Sequence, residues 1–364
     1  MKTIVLGGYG NFGARISGAL AHSPGIELVI AGRDLHKARA LAAQCGAGAA
    51  AIDVNADNLA GVLRRLGAGL VIHTAGPFQD QDYKVALAVA QAGAHYIDLA
   101  DGRRFVCDFP AALNEAFLRC ERIAITGAST VPALSSAVVD HLSAGWRSVT
   151  AIEFCIAPAQ TAPRGVATMA AVLSYCGAPV KVWQGGHWVT RHGWAAPVQV
   201  EYARLRPRLA ALCDIPDLEL FPAHYCGVQT VTFRAALELG ISQRGMALLA
   251  ALRRIGVVKR PERLAGLLNR AANTLDRFGS ALGGMVVRVD GIDDLGKPVQ
   301  RSWHIAADDD HGPEIPCMAA ILLARRIADG SLRTTGACAS TSMLALEDFA
   351  PEFKKWNMVT DLGA

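Results

Sequence analysis

The feature that most restricts the fold is a strict alternation of short apolar runs with longer amphipathic stretches across the first 127 residues. Thr3–Leu6 reads as a buried strand, and Phe12–His22 puts Phe12, Ile16, Ala19 and Leu20 on one helical face before Pro24-Gly25 ends it. Leu28–Ala31 is a second strand, Leu35–Cys45 a helix stopped by Gly46, and Ala49–Ile52 a third strand running into Asp53. Asp57 is placed to cap a helix ending at Leu66. Leu70–Thr74 is then a fourth strand, Lys84–Ala92 a helix closed by Gly93, and Tyr96–Leu99 a fifth strand. Pro110 opens a helix near its first turn, and Ile123–Thr126 makes a sixth strand before Gly127. Parallel strands need long crossovers, and these helices supply them, so the expectation is a doubly wound parallel α/β sheet.

After about residue 148 the rhythm breaks. Val149–Ile156, Pro197–Tyr202, Gln229–Arg234, Met285–Val289 and Ser302–Ala306 read as strands without regular helices between them, which implies a second α+β domain with a mixed or antiparallel sheet. Pro313–Ala328 reads as a helix stopped by Gly330. Hydrophobic residues make up 52% of the 364 and charged residues 19%, which excludes a disordered chain. No apolar run reaches 18 residues, and the start MKTIVLGGYG lacks the layout of an export signal. Nine scattered cysteines without a Cys-x-x-Cys pair read as reduced core thiols, and no metal spacing is present. A net charge of +4 is too slight to imply nucleic acid.

Chemistry first shows at the turn after the first strand. Gly8-Tyr9-Gly10-Asn11-Phe12-Gly13 is a G-x-G-x-x-G lying where a dinucleotide fingerprint must lie, between a first strand and a first helix. In that reading Gly8 allows the tight turn, Gly10 admits the pyrophosphate to the backbone, and Gly13 lets helix and strand pack closely, with the helix N-terminus facing the phosphates. The sheet is then of the Rossmann type. Arg33 stands twenty residues after Gly13, just past the second strand, where an arginine matches the extra phosphate of NADP(H). Asp34 beside it leaves NAD(H) as the alternative, unless it caps the next helix. Ligands in such sheets lie outside the carboxyl ends of the strands, so Asp53, Val54, Thr74, Ala75, Gly76 and Pro77 are placed to touch cofactor. The expected division is a dinucleotide-binding domain over 1–130, a substrate and oligomerisation domain over 131–308, and a helical segment over 309–364 returning to the first domain.

Gly-Gly-Tyr-Gly-Asn-Phe-Gly at the start, Ala-Gly-Arg after the second strand, Ala75-Gly76-Pro77-Phe78 after the fourth and Gly93-x-His95-Tyr96-Ile97-Asp98 through the fifth resemble the saccharopine dehydrogenase-like NADP-binding oxidoreductases. The resemblance covers about residues 1–140. It implies a Rossmann domain joined to an α/β substrate domain, without fixing the substrate.

Other enzyme classes lack their residues: no tyrosine has lysine four positions on, and neither G-x-S-x-G nor H-E-x-x-H occurs. Reduction of a C=N or C=O group needs a proton source, for which Asp98 is the first choice, with Asp101, His304 and His311 behind it. Its alternative role is to hold a loop or cap a helix. His187 and His192, with Trp183, Trp188 and Trp194 nearby, read either as a polar-aromatic pocket or as residues of a small sheet. Met246–Ile255 and Arg263–Phe278 are basic amphipathic helices, expected to bury Leu248, Leu249, Leu252, Leu264, Leu267 and Leu268 on a core face. Contact with an anionic membrane, or with an acyl-type substrate, is the alternative. The expectation is thus an NADP(H)-dependent oxidoreductase of a small metabolite, homodimeric and cytoplasmic. The alternatives are a dinucleotide-binding sensor or scaffold without turnover, and a reductase of a lipid-like ketone or enoyl group.

Overall fold

The parallel sheet forms with one strand more than the sequence signals. In the computed structural model, which describes residues 1–79 and 81–363, the strands are β1 (Lys2–Leu6), β2 (Glu27–Gly32), β3 (Gly48–Ala51), β4 (Leu70–His73), β5 (His95–Asp98) and β6 (Ile123–Thr126). Between them run α1 (Asn11–Leu20), α2 (Leu35–Cys45), α3 (Leu59–Leu66), α4 (Lys84–Ala92) and α5 (Arg103–Arg119). The order is β3-β2-β1-β4-β5-β6, every neighbouring pair parallel, which is the doubly wound dinucleotide-binding arrangement. Ile4, Val5, Leu6, Ile30, Ile72, Ile97 and Ile125 are fully buried, as strands covered on both faces require.

Two local expectations are corrected. α3 begins at Leu59 with Asn58 in the cap position, so Asp57 does not cap it. α5 begins at Arg103, and Pro110 lies inside it rather than near its start. Phe105, Phe109, Leu113 and Phe117, four apart and buried, carry the helix through the proline because their packing outweighs one lost backbone bond.

The chain continues through α6 (Ser135–Leu142), β7 (Ser148–Ala157), α7 (Val166–Ser174), β8 (Pro179–Gln184), β9 (His187–His192), β10 (Val198–Val200), β11 (Arg208–Leu212), α8 (Asp217–His224), β12 (Thr230–Ala236), α9 (Gly240–Arg254), α10 (Ala265–Thr274), β13 (Gly283–Ile292) and β14 (Pro298–Ala307). It ends with α11 (Ile315–Ala328), β15 (Gly336–Ala339), α12 (Leu346–Lys355) and β16 (Val359–Gly363). The second sheet runs β10-β11-β12-β7-β13-β14-β16, with the β8–β9 hairpin joined at β12. It is mixed, β12 and β7 being parallel and the other pairs antiparallel. β8 and β9 meet at Gly185-Gly186, both with positive φ, and place Trp183 edge-on to Trp188 at 5.1 Å. His187 and His192 are therefore residues of the β8–β9 hairpin, the small-sheet alternative.

Two compact units result: Met1–Leu134 with Glu314–Leu344, and Ser135–Pro313 with the chain from Ala345 on. Only Glu314–Leu344 of the C-terminal segment folds with the first sheet; there β15 pairs in parallel with β6. α11 seats on α1 through an Arg15–Glu314 ion pair at 2.9 Å and an Arg325–Ser23 hydrogen bond at 3.1 Å. From Ala345 on, α12 and β16 join the second unit, β16 pairing with β14 and Phe353 packing against Trp303.

The first unit buries a histidine at the end of β4. His73 is fully buried, its Nε2 paired with Gln81 Oε1 at 3.1 Å, and burial holds its pKa down to about 4 against that one bond. Its unfolded value, 6.5, lies above the folded one, so the unfolded chain takes up the proton first as pH falls. Stability from this group is intact above the unfolded value and is lost towards pH 4. The buried carboxyls Asp98 and Asp217, pushed up to about 6 and about 7, act in the opposite sense, their penalty easing as pH falls. The His73 contribution is isolated by comparing wild type with His73→Phe in denaturant titrations. The wild type should lose about 2 kcal/mol relative to the variant between about pH 8 and pH 5, and parallel curves would refute the assignment.

Candidate dinucleotide site

The turn from β1 into α1 is built by four glycines. The residue in the left-handed region is Gly7, at φ 77°, rather than Gly8, which corrects the role expected for Gly8. Gly7 and Gly8 N–H both donate to Ala31 O of β2, at 2.9 and 3.0 Å, so the turn is fastened to the neighbouring strand. Gly13 has the close-packing role expected of it: a Cβ there would stand 2.1 Å from Gly7 O and 2.7 Å from Thr74 Oγ1. α1 can sit this near the strand ends only without a side chain at that point. Gly10 is the exposed N-cap of α1 and supplies no side-chain cap, which leaves the mouth of the helix uncovered by side chain at that position. Asn11 is exposed, its Oδ1 accepting from Arg15 at 2.6 Å, while Phe12 is half-buried.

The corner after β2 separates the two candidates for the ribose. Tyr9 lies across Gly32, where a Cβ would come within 2.5 Å of its ring, and its hydroxyl accepts the Asp34 N–H at 2.9 Å. Asp34 is the N-cap of α2: its Oδ1 accepts from His36 N and Lys37 N at 3.0 and 3.1 Å. Arg33 is exposed, and among the described residues its guanidinium makes no hydrogen bond or ion pair. Asp53 is exposed past β3, its carboxylate accepting from Asn55 N at 3.0 Å, and Val54 beside it is half-buried. Ile52 N donates to Gly32 O at 3.0 Å, which holds this strand end against the Arg33 corner.

At the end of β4, Thr74 Oγ1 donates to Leu6 O at 2.8 Å and joins the glycine turn. Ala75, Gly76 and Pro77 follow, with a cis bond between Gly76 and Pro77. Gln81, which nothing in the sequence singled out, pins this loop: its Nε2 donates to Ala75 O and Pro77 O, both at 2.8 Å, while its Oε1 holds His73. Phe78 turns inward against His73 and Phe105, at 5.1 and 5.4 Å. Gly76 and Pro77 are exposed, so the loop offers backbone and a proline ring to a ligand.

Asp98 stands at the end of β5, in register with His73, and has no exposed surface. Its Oδ1 accepts from Ala100 N at 2.9 Å, Thr126 Oγ1 at 2.9 Å and Gly127 N at 2.8 Å. One carboxylate oxygen thus ties the chain after β5 to the chain after β6. Burial raises its pKa to about 6 against these donors and the nearby Tyr96 hydroxyl. As placed, it is inaccessible to a substrate. His304 and His311 belong to the second unit and are held by backbone, His304 Nδ1 by Ala203 N at 3.2 Å and His311 Nδ1 by Trp356 O at 3.1 Å.

The glycine turn, Tyr9, Arg33, Asp53 and Thr74–Pro77 therefore cluster at the carboxyl ends of β1 to β4, while Asp98 lies beneath the surface at β5. The missing signal for Gly7 was weak, since the motif pattern begins one residue later. Among the described residues no group of His, Cys, Asp and Glu is arranged to hold a metal.

Residues 3–131 match the family model of the saccharopine dehydrogenase NADP binding domain. Among solved structures the chain is similar in fold to apo saccharopine dehydrogenase (L-Glu forming) from Saccharomyces cerevisiae, with a TM-score of 0.71 at 13% identity over 100% of both chains. It is also similar to homospermidine synthase from Legionella pneumophila in complex with NAD, with a TM-score of 0.64 at 10% identity over 100% of this chain and 91% of that one. No curated protein matches the sequence. At such identities the structural likeness is one of fold, whereas the family match rests on the residues of the first domain. The family model matched over residues 3–131 is the one that the residue pattern of the first domain resembles.

Proposed function

We propose that this protein is an NADP(H)-dependent oxidoreductase acting on a C=N or C=O group of a small metabolite. The observation that carries the cofactor reading is the corner after β2, where Asp34 is committed to capping α2 and Arg33 is exposed and, among the described residues, without a partner. A carboxylate engaged by two backbone N–H groups has less capacity left for ribose hydroxyls, whereas a solvated guanidinium is ready for a phosphate. The nicotinamide group, when bound, supplies or accepts the hydride. Gly10 and the N-terminus of α1 would hold the pyrophosphate, with Gly13 letting the helix sit close to the strand ends and Tyr9 keeping the ribose corner in place. Ala75-Gly76-Pro77, fixed by Gln81, would offer backbone and a proline ring to the nicotinamide.

In this reading Asp98 is a positioning residue that fixes the chain at β5 and β6, and the proton comes from another group or from water. The burial of Asp98 also favours a second reading, a dinucleotide-binding protein without turnover, because it removes the first-choice proton donor from the surface.

Fluorescence titration tests the cofactor site. Arg33→Ala should weaken NADPH binding by about tenfold or more, about 1.4 kcal/mol, while NADH binding stays as in the wild type. Equal effects on both nucleotides, or none, would remove the phosphate role from Arg33. Asp98→Ala should lower stability by about 2–4 kcal/mol, since it leaves three buried donors unmet. Asp98→Asn keeps an acceptor oxygen and should retain fold, NADPH binding and any NADPH-linked turnover found with carbonyl and imine substrates. Loss of turnover alone in Asp98→Asn would return the proton-donor role to this residue. Absence of turnover in wild type that binds NADPH tightly would favour the sensor reading.

A further inference from the structure

Of the six leucines expected on the core face of the basic helices, Leu249, Leu252, Leu264 and Leu268 are half-buried, while Leu248 and Leu267 are exposed. In α9, Gln243 and Ala250 face the core, and Gln243 Oε1 accepts Leu237 N at 3.0 Å. At about 100° per residue the opposite side of the helix carries Ile241, Leu248 and Ile255. These three are 72, 62 and 73% exposed. They recur every seven residues and form an apolar stripe about 21 Å long at about 1.5 Å per residue. α10 and the turn after it repeat the pattern, with Leu267 60% and Phe278 62% exposed. Leu248 and Leu267, expected in the core, are thus directed to solvent.

Exposed cations lie on the same segments. Residues 240–278 hold eight Lys and Arg against Glu262 and Asp276, a net +6. Asp276 is turned inward, bound by Arg164 and by Gln160 Nε2, so it does little to offset the outer charge. Arg253 is likewise committed inward, to Ser174 O and Cys176 O at 2.7 and 2.9 Å. Arg244, Arg254, Arg263 and Arg270 are exposed, and Arg277 lies over the Phe278 ring at 4.7 Å. Arg263, Arg270 and Arg277 themselves recur every seven residues.

We propose that α9 and α10 form a docking surface for a bilayer containing anionic phospholipid. An outward apolar stripe with exposed arginines on the same segments matches a lipid surface in two independent ways, since acyl chains take the isoleucines and leucines while head-group phosphates pair with the guanidinium groups. Neither half suffices alone. A nucleic acid would satisfy the charge but leave the stripe in water, and a second copy of the chain joined through the same face would oppose two surfaces of net +6. No helix among the described residues is long and apolar enough to cross a membrane, so the contact is with the surface.

Co-sedimentation of the full chain with vesicles of phosphatidylcholine, with and without about 30% phosphatidylserine, tests this. The protein should pellet with the anionic vesicles and stay in solution with the neutral ones, and the bound fraction should fall as salt is raised. Removing one arginine should lower the partition about fivefold, so Arg263→Gln with Arg270→Gln should lower it by more than about tenfold. Leu248→Ser with Ile255→Ser should lower it at least as far, by loss of apolar burial. Both pairs are exposed, so unchanged circular dichroism melting is expected, and Ile241→Ser provides a second apolar variant. Absence of binding to either vesicle overturns the proposal. So does binding that ignores the serine variants, which marks unspecific charge adsorption, or lipid-free dimerisation broken by Leu248→Ser without vesicle binding, which marks a contact between copies.

Discussion

The contact on which the dinucleotide-binding unit depends is the approach of Gly13 to Gly7 and Thr74. A Cβ at Gly13 would overlap Gly7 O at 2.1 Å, so α1 reaches its seat only because that position has no side chain. Three strands meet there. Gly7 and Gly8 are tied to β2 through Ala31 O, Thr74 is tied to β1 through Leu6 O, and α1 bridges the gap between them. This is also where the sheet changes direction, β2 lying on one side of β1 and β4 on the other. A crevice opens wherever neighbouring connections leave a strand on opposite sides, and the uncovered N-cap Gly10 lies at its rim.

Beyond that point the sheet is held by polar groups that do not face solvent. Asp98 Oδ1 gathers donors from Ala100, Thr126 and Gly127, and Ser340, next to β15, donates its hydroxyl to Gly127 O at 2.7 Å. The ends of β5, β6 and β15 are therefore linked through two side chains. A strand that arrives from 200 residues downstream needs such a link, because no short connection sets its register. A buried carboxylate costs free energy to ionise, and here three donors offset part of that cost while specifying a single arrangement.

Much of the first unit was legible because its strands are buried on both faces and its helices carry one apolar stripe. α2, α4 and β6 fall at the expected residues, since glycine or a cap marks their ends. What escaped was set by distant packing. Pro110 signals a helix start locally, yet four buried side chains spaced by four carry α5 through it. β15 is a four-residue strand, Gly-Ala-Cys-Ala, whose partner is β6; nothing within it distinguishes strand from loop. Arg33 and Asp34 were both visible as ribose candidates. Only the backbone geometry of α2 shows that the aspartate is occupied, because a capping side chain and a free one have the same sequence.

The same limit explains the basic helices, where it acts in the opposite direction. Periodicity identifies a stripe of leucines and isoleucines but carries no sign: an apolar face looks alike whether it points into the protein or out of it. The usual assumption is burial, because exposing such a face to water is unfavourable. In α9 the fully buried positions are Ala250 and Gln243, whose amide holds Leu237 N, so Ile241, Leu248 and Ile255 are left outside while Met246, Leu249 and Leu252 are half-buried. A helix can anchor inward through small and hydrogen-bonded residues and spend its large ones elsewhere. That allocation depends on the rest of the unit for support, and the exposed arginines of the same segments oppose, by like-charge repulsion, pairing with the same face of a second copy. Charge that opposes self-association also favours an anionic surface, so the same residues serve both sides of the proposal.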